Sequence, residues 1–225
     1  NYNLWLGPKK KYIPYHPTHH PFHWRQWWDF AGGTLADIGC HYIDLSHWAL
    51  NLRHPSKINV IDGPKPDNEY TPQSLVVDFH YEEIGKQPKT KLRWYHGKSR
   101  PPHFSEGILP NWGNGCLFIG NKGMLLADYN KHLLLPEKDF KDFQKPEPSI
   151  PKSIGHHQEW IEAIKTGSET TCNFDYSGPL TEVVLLGNIA HRTNTPIVWD
   201  HKKMKATGQS QADEFINHQY SKGWE

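Results

Sequence analysis

The chain has 225 residues, 36% of them hydrophobic, with 25 basic side chains against 24 acidic ones, enough apolar material for one core in one domain spanning 1–225. The near-cancelling charge, with no basic run beyond Lys9-Lys10-Lys11, argues against nucleic acid or an anionic membrane as a partner and favours a small neutral ligand. No apolar run approaches the roughly eighteen residues that a spanning helix needs, no signal-peptide pattern is present, and Cys40, Cys116 and Cys172 form neither a disulfide framework nor a C-x-x-C metal site. The expectation is a soluble protein, cytoplasmic or periplasmic.

In chain order, residues 2–6 read as a strand already in progress, which predicts a piece of a longer protein. Residues 7–31 are broken by Pro8, Pro14, Pro17 and Pro21 and are rich in rings, among them Trp24, Trp27 and Trp28. His16, His19, His20 and His23 in this stretch are spaced H-x-x-H-H-x-x-H, but that is no zinc pattern, and the reading taken is no resident metal. A helix is predicted from the Gly32-Gly33 pair to about Leu52. Leu35, Ile38, Tyr42, Leu45, Ala49 and Leu52 give it a buried stripe, while Ile43 and Leu50 make the far side apolar too. Asp37, His41, Asp44 and Trp48 share a narrow sector between these faces. Asp37 and His41 stand one turn apart, where a carboxylate can hydrogen-bond an imidazole and set its basicity, which is what a general base needs. Thr34-x-x-Asp37 is also a capping signal, so an Asp37 that serves the helix end and an interior His41 are the competing reading.

Alternating or turn-bounded strands are predicted at residues 57–62, 73–82 (Leu75, Val77, Phe79 and Tyr81 on one face), 91–96, 115–120, 123–128 and 131–135, with Asn121-Lys122 as a hairpin turn. After a proline-punctuated excursion at 136–153, helices are predicted at 155–165, 180–190 and 212–220, with a strand at 196–200. A block of strands with few helices predicts an α+β fold, one large, mainly antiparallel open sheet with helices on one face. The uncovered face predicts a homodimer or tetramer.

The stretch Gly32-Gly33-Thr34-Leu35-Ala36-Asp37-Ile38-Gly39-Cys40-His41-Tyr42-Ile43-Asp44 resembles the G-G-x-L-x-D-x-G-x-H-x-x-D signature in the second domain of the glucose-fructose oxidoreductase/inositol dehydrogenase (Gfo/Idh/MocA) family. Trp5-Leu6-Gly7-Pro8, Trp24-Arg25-Gln26-Trp27, Gly120-Asn121-Lys122-Gly123 and the run from Leu180 to Ala190 resemble that domain in the same order. The resemblance implies a substrate-binding and oligomerisation domain whose N-terminal Rossmann partner, with its NAD or NADP and a catalytic lysine, lies outside these residues. Indeed no G-x-G-x-x-G fingerprint is present; Gly113-Asn114-Gly115 lacks the third glycine and leads into a β-rich segment, so no cofactor is expected on this chain. The implied reaction is oxidation of a sugar-like carbinol, with His41 as base and Asp37 orienting it. Trp24 as a stacking face, Arg25 as a donor, His96 and His157 complete the candidate substrate contacts. A nicotinamide-dependent glycosidase or lyase of the same family, and a non-catalytic binding or oligomerisation module, are the alternatives.

Overall fold

The side chain of Asn1 decides the first element. Its Oδ1 accepts from the amides of Asn3 and Leu4 at 3.1 and 3.4 Å, so Tyr2–Leu6 is a short helix, α1, and not the expected strand. Satisfying orphan amides at a helix start outweighs the weak preference of five residues that would suit either state. The computed structural model describes residues 1–9, 12–217 and 219–224; Lys10 and Lys11 of the basic run and His218 of the expected last helix lie outside them. After 3-10 turns at Pro17–His19 and His23–Gln26 comes helix α2, Gly33–Leu50. The order continues with β1 (Lys57–Asp62), β2 (Leu75–Tyr81), β3 (Thr90–His96), α3 (Pro102–Ser105), β4 (Cys116–Gly120), β5 (Gly123–Asp128) and β6 (Lys131–Leu135). It ends with α4 (His156–Thr166), α5 (Phe174–Thr193), β7 (Ile197–Asp200), β8 (Lys205–Ala206) and α6 (Asp213–Ile216).

Five strands pair antiparallel in the order β3-β2-β1-β7-β8. Period-two alternation then sorts their side chains. Val60, Val77 and Trp94 are in register across three strands, as are Ile58, Phe79 and Leu92, and this face packs under α2 and α5 to form the main core. Among the described residues the opposite face carries no helix, and it is largely polar. There Asp78, almost fully buried, receives two hydrogen bonds from Arg93 (2.5 and 2.6 Å), and Asn59 meets His80 at 3.2 Å. The fold is therefore α+β with an open antiparallel sheet, as expected. Strands β4, β5 and β6 do not extend that sheet; they form a separate one around Leu109, Leu126 and Leu135.

Helix α2 begins where Gly33 adopts φ +64°, and a Cβ there would lie 2.5 Å from Thr71 Oγ1, so only glycine fits. Its buried face is Leu35, Gly39, Ile43, Ser46 and His47, whereas Ile38 and Ala49 of the expected stripe are exposed. The correction has a steric cause. Gly39 lets α5 approach so closely that an added Cβ would sit 2.7 Å from Val184 Cγ1, and Gly187 does the same for Leu35 from the other side. Helix α5 starts six residues earlier than expected because Asn173 caps it through the Tyr176 amide (3.2 Å), which leaves Pro179 inside the helix. Helix α4 ends on left-handed Gly167 as its sequence suggests, but buries no residue: Trp160, Ile161 and Ile164 stay exposed. Among the described residues no helix is long and apolar enough to cross a membrane.

Candidate functional site

The centre of the site is the exposed side of the first half of α2. Asp37 and His41 stand one turn apart there, and the carboxylate of Asp37 accepts from Arg25 Nε at 2.7 Å, with both side chains only about one-third exposed. Arg25 comes from the 3-10 turn His23–Gln26. That turn is tied down because the Gln26 carbonyl accepts the Thr71 amide at 2.9 Å, the same Thr71 that presses against Gly33. The guanidinium is held further by the faces of Trp24 (4.8 Å) and Phe22 (5.0 Å) and by an Nη1 bond to the Phe22 carbonyl at 3.3 Å. Such contacts fix a planar fork better than a flexible ammonium.

His41 is exposed, and its ring makes no hydrogen bond among the described residues; only its carbonyl is engaged, by the Tyr129 hydroxyl at 3.4 Å. The hydrogen bond expected between Asp37 and His41 is thus replaced by one between Asp37 and Arg25. Nor does Asp37 close the helix end, since Gly32 is the N-cap and no side chain bonds the first amides. An open imidazole beside a hydrogen-bonded carboxylate can accept a proton from a hydroxyl, and the remaining Arg25 N–H groups can donate to a neighbouring oxygen.

The structure brings Trp24, Arg25, Asp37 and His41 into one neighbourhood but treats the other candidates differently. His96 is buried on β3. Its Nδ1 accepts from Trp94 Nε1 at 2.8 Å, its Nε2 donates to the Pro72 carbonyl at 3.1 Å, and burial lowers its pKa, so the neutral ring has no nitrogen left for a ligand. His157 lies on exposed α4 against the ring of His156 at 4.1 Å, with no hydrogen bond or ring contact to Asp37, Arg25 or His41 among the described residues. Of the four histidines of the early loop, His16 and His19 approach to 5.9 Å between ring centroids, and each ring has its own further contacts. His19 is buried between Trp27 and Phe30, His16 bonds Thr18, His20 meets Trp5 and His23 meets Phe22. Among the described residues no three histidine, cysteine or acidic side chains gather as metal ligands. A cavity of about 310 Å³, lined by Asp62, Pro64, His191 and Asn194 among others, contains no motif residue.

Two contacts had no sequence signal. Tyr176 donates from its hydroxyl to the carboxylate of Asp44, the last residue of the motif, and so fastens α2 to the start of α5; burial and that carboxylate both raise the Tyr176 pKa. Asn188 of α5 donates to the Gly32 carbonyl at 2.8 Å. The partners in these pairs are 132 and 156 positions apart, beyond any spacing rule. The only earlier hint was that Asp44 shares the polar sector with Asp37 and His41.

Every strand pairing in the described residues is antiparallel, and none offers the parallel strand, glycine turn and helix that cradle a dinucleotide pyrophosphate. These residues do not fit a nicotinamide dinucleotide by themselves. With that geometry established, the family comparison is specific: residues 1–87, which contain Trp24, Arg25, Asp37 and His41, match the model described as "Oxidoreductase family, C-terminal alpha/beta domain". This stretch is similar to the C-terminal domain of the Gfo/Idh/MocA family. A solved structure of Bacillus subtilis yvaA in a triclinic crystal form, described as an oxidoreductase, aligns with a TM-score of 0.39 and 14% identity. The alignment covers 84% of this chain and 56% of that one, so the chain spans little more than half of that protein's length. No curated protein matches the sequence. Within the matched stretch, Asp37 and His41 occupy an outward face of α2, while Asp44 and Gly39 serve its packing.

Proposed function

We propose that the chain is the substrate domain of an NAD(P)-dependent oxidoreductase acting on a carbinol of a sugar, polyol or sugar derivative, with His41 as the general base. The observation that carries this reading is the free, exposed imidazole of His41 one turn from a fixed carboxylate, inside the stretch that matches the family domain. A carbinol gives up a hydride and a proton. The chain's own part is the proton, which His41 takes from the hydroxyl, while the Asp37–Arg25 pair offers an acceptor and donors to adjacent oxygens. The hydride acceptor is held outside these residues. Assembly into a homodimer or a tetramer of dimers belongs to the same reading, supported by a large sheet with helices on one face only.

In the full-length protein, supplied with nicotinamide dinucleotide and a panel of sugars and polyols, His41→Ala should lower turnover by about two to four orders of magnitude and leave nicotinamide affinity nearly unchanged. Turnover per folded molecule equal to that of the unsubstituted protein would remove His41 from the chemistry. Net nicotinamide reduction marks a dehydrogenase; a product formed without it marks a redox-assisted hydrolase or lyase.

A further inference from the structure

The spacing of Asp37 and His41 permits a hydrogen bond that the structure does not make; Asp37 accepts from Arg25 instead. The guanidinium holds Oδ2 of the Asp37 carboxylate at 2.7 Å and is itself anchored three ways, by the Phe22 carbonyl and by the ring faces of Trp24 and Phe22. The anchor reaches the fold through Gln26 and Thr71, so this is a built position and not a stray surface contact. Both partners are about two-thirds covered, which restricts rearrangement of the pair. His41, by contrast, keeps an exposed ring with no hydrogen bond among the described residues. We propose that Arg25 is a positioning residue that orients the Asp37 carboxylate away from His41.

The consequence is electrostatic as well as geometric. A carboxylate hydrogen-bonded to a guanidinium has its charge nearly compensated at the distance of the next helical turn, whereas a free one would favour the protonated imidazole. Charged and titratable groups on the elements around His41 include Asp37, Tyr42 and Asp44 on α2, Arg25 from the 3-10 turn, Asp128 at the end of β5 and Tyr129, whose hydroxyl meets the His41 carbonyl. Asp128 is engaged by the hydroxyl of Tyr42 (3.4 Å) and Asp44 by that of Tyr176, so the Arg25–Asp37 pair is the contact that substitution at Arg25 changes. Its meaning for catalysis rests on His41 being the base; the pairing itself does not, and is measurable apart from turnover.

The test is an NMR titration of the His41 ring in the 225-residue chain, with Arg25→Gln, Asp37→Asn and the double variant beside the unsubstituted protein. Releasing the carboxylate by Arg25→Gln should raise the His41 pKa by about half a unit, and adding Asp37→Asn should bring it back to within about 0.2 unit of the starting value. Arg25→Lys, which keeps the charge but loses the planar anchor, should raise it by a smaller amount and serves if the glutamine variant fails to fold. A His41 that titrates unchanged in both Arg25 variants would overturn the proposal. So would a rise of equal size with Asp37 already replaced, which would reflect lost positive charge alone. Neither result depends on His41 being the base, and a His41→Ala enzyme with full turnover would leave this pairing intact.

Discussion

His47 Nε2 and the hydroxyl of Tyr81 share a 2.8 Å hydrogen bond with each residue only 1% exposed, so the underside of the site helix is pinned to β2 by a sealed polar pair. Burial pushes the His47 pKa down to about 3 from its ordinary 6.5 and raises that of Tyr81. The unfolded chain therefore gains a proton below pH 6.5 that the folded chain refuses until about pH 3. Stability should be full above pH 6.5 and fall between those limits, by about 1.4 kcal/mol per pH unit from this residue. Buried His96 and His191, also lowered by desolvation, act in the same direction. Urea unfolding at neutral and mildly acidic pH measures the slope. His47→Gln, which keeps a partner for Tyr81 but cannot titrate there, should flatten it; an unchanged slope would show that His47 is protonated in the fold.

A second prediction concerns the helix-free face of the large sheet. Arg93 neutralises an Asp78 that is 3% exposed, and removing one member of a buried pair strands the other. Arg93→Met should cost about 3 kcal/mol in denaturant unfolding, and much of that loss should return when Asp78→Asn is added. Equal stability of the Arg93 variant and the unsubstituted chain would mean that Asp78 is solvated.

The helix crossing gives a third. Ala is the better helix former by about 1 kcal/mol, so an uncrowded Gly39→Ala would stabilise. Here the new methyl meets Val184 at 2.7 Å, a β-branched side chain with little rotamer freedom in its helix. Overpacking of about 1–3 kcal/mol should win, and the thermal midpoint should fall. A midpoint that rises would mean the two helices can separate without loss.

The fourth tests assembly. Val198 pairs with Lys57 across the β7–β1 ladder, on the side facing away from α2 and α5, and is 47% exposed. Light scattering of the unsubstituted chain should give a dimer or tetramer, and Val198→Asp should shift it toward monomer. A monomer at high concentration before any substitution would set the proposed assembly aside.

Strands were legible because one side faces the core: Leu75, Val77, Phe79 and Tyr81 alternate in the sequence and are all buried in the structure. Helix α2 was legible in position but not in orientation, since it is apolar on two sides and periodicity has no means to choose between them. Gly39, four residues after Leu35, held the missing information, because a glycine inside a helix marks where another backbone comes close. Asp37 and His41 were readable from spacing, while the Arg25–Asp37 bond was not, since it depends on how a proline-broken loop of 25 residues folds back. The amphipathic pattern of α4 correctly indicated a helix; what covers a helix is a property of the surroundings, and Trp160 and Ile164 remain in solvent.

The second sheet has a further consequence. It meets α2 through Ser46 Oγ and Cys116 Sγ at 3.0 Å, the Tyr42–Asp128 contact and the Tyr129 hydroxyl on the His41 carbonyl, the latter two both at 3.4 Å. Two of these three bonds are long, set beside a main core in which Leu52, Ile58, Phe79 and Val183 have no exposure at all. In the language of native-state exchange, the molecule contains two cooperative units that share one helix, and the β4–β6 amides should open to solvent at a lower free energy than those of β2. Each such opening would take the Tyr129 hydroxyl away from the carbonyl of His41, so the surroundings of the imidazole inherit the fluctuations of a sheet that carries none of the motif.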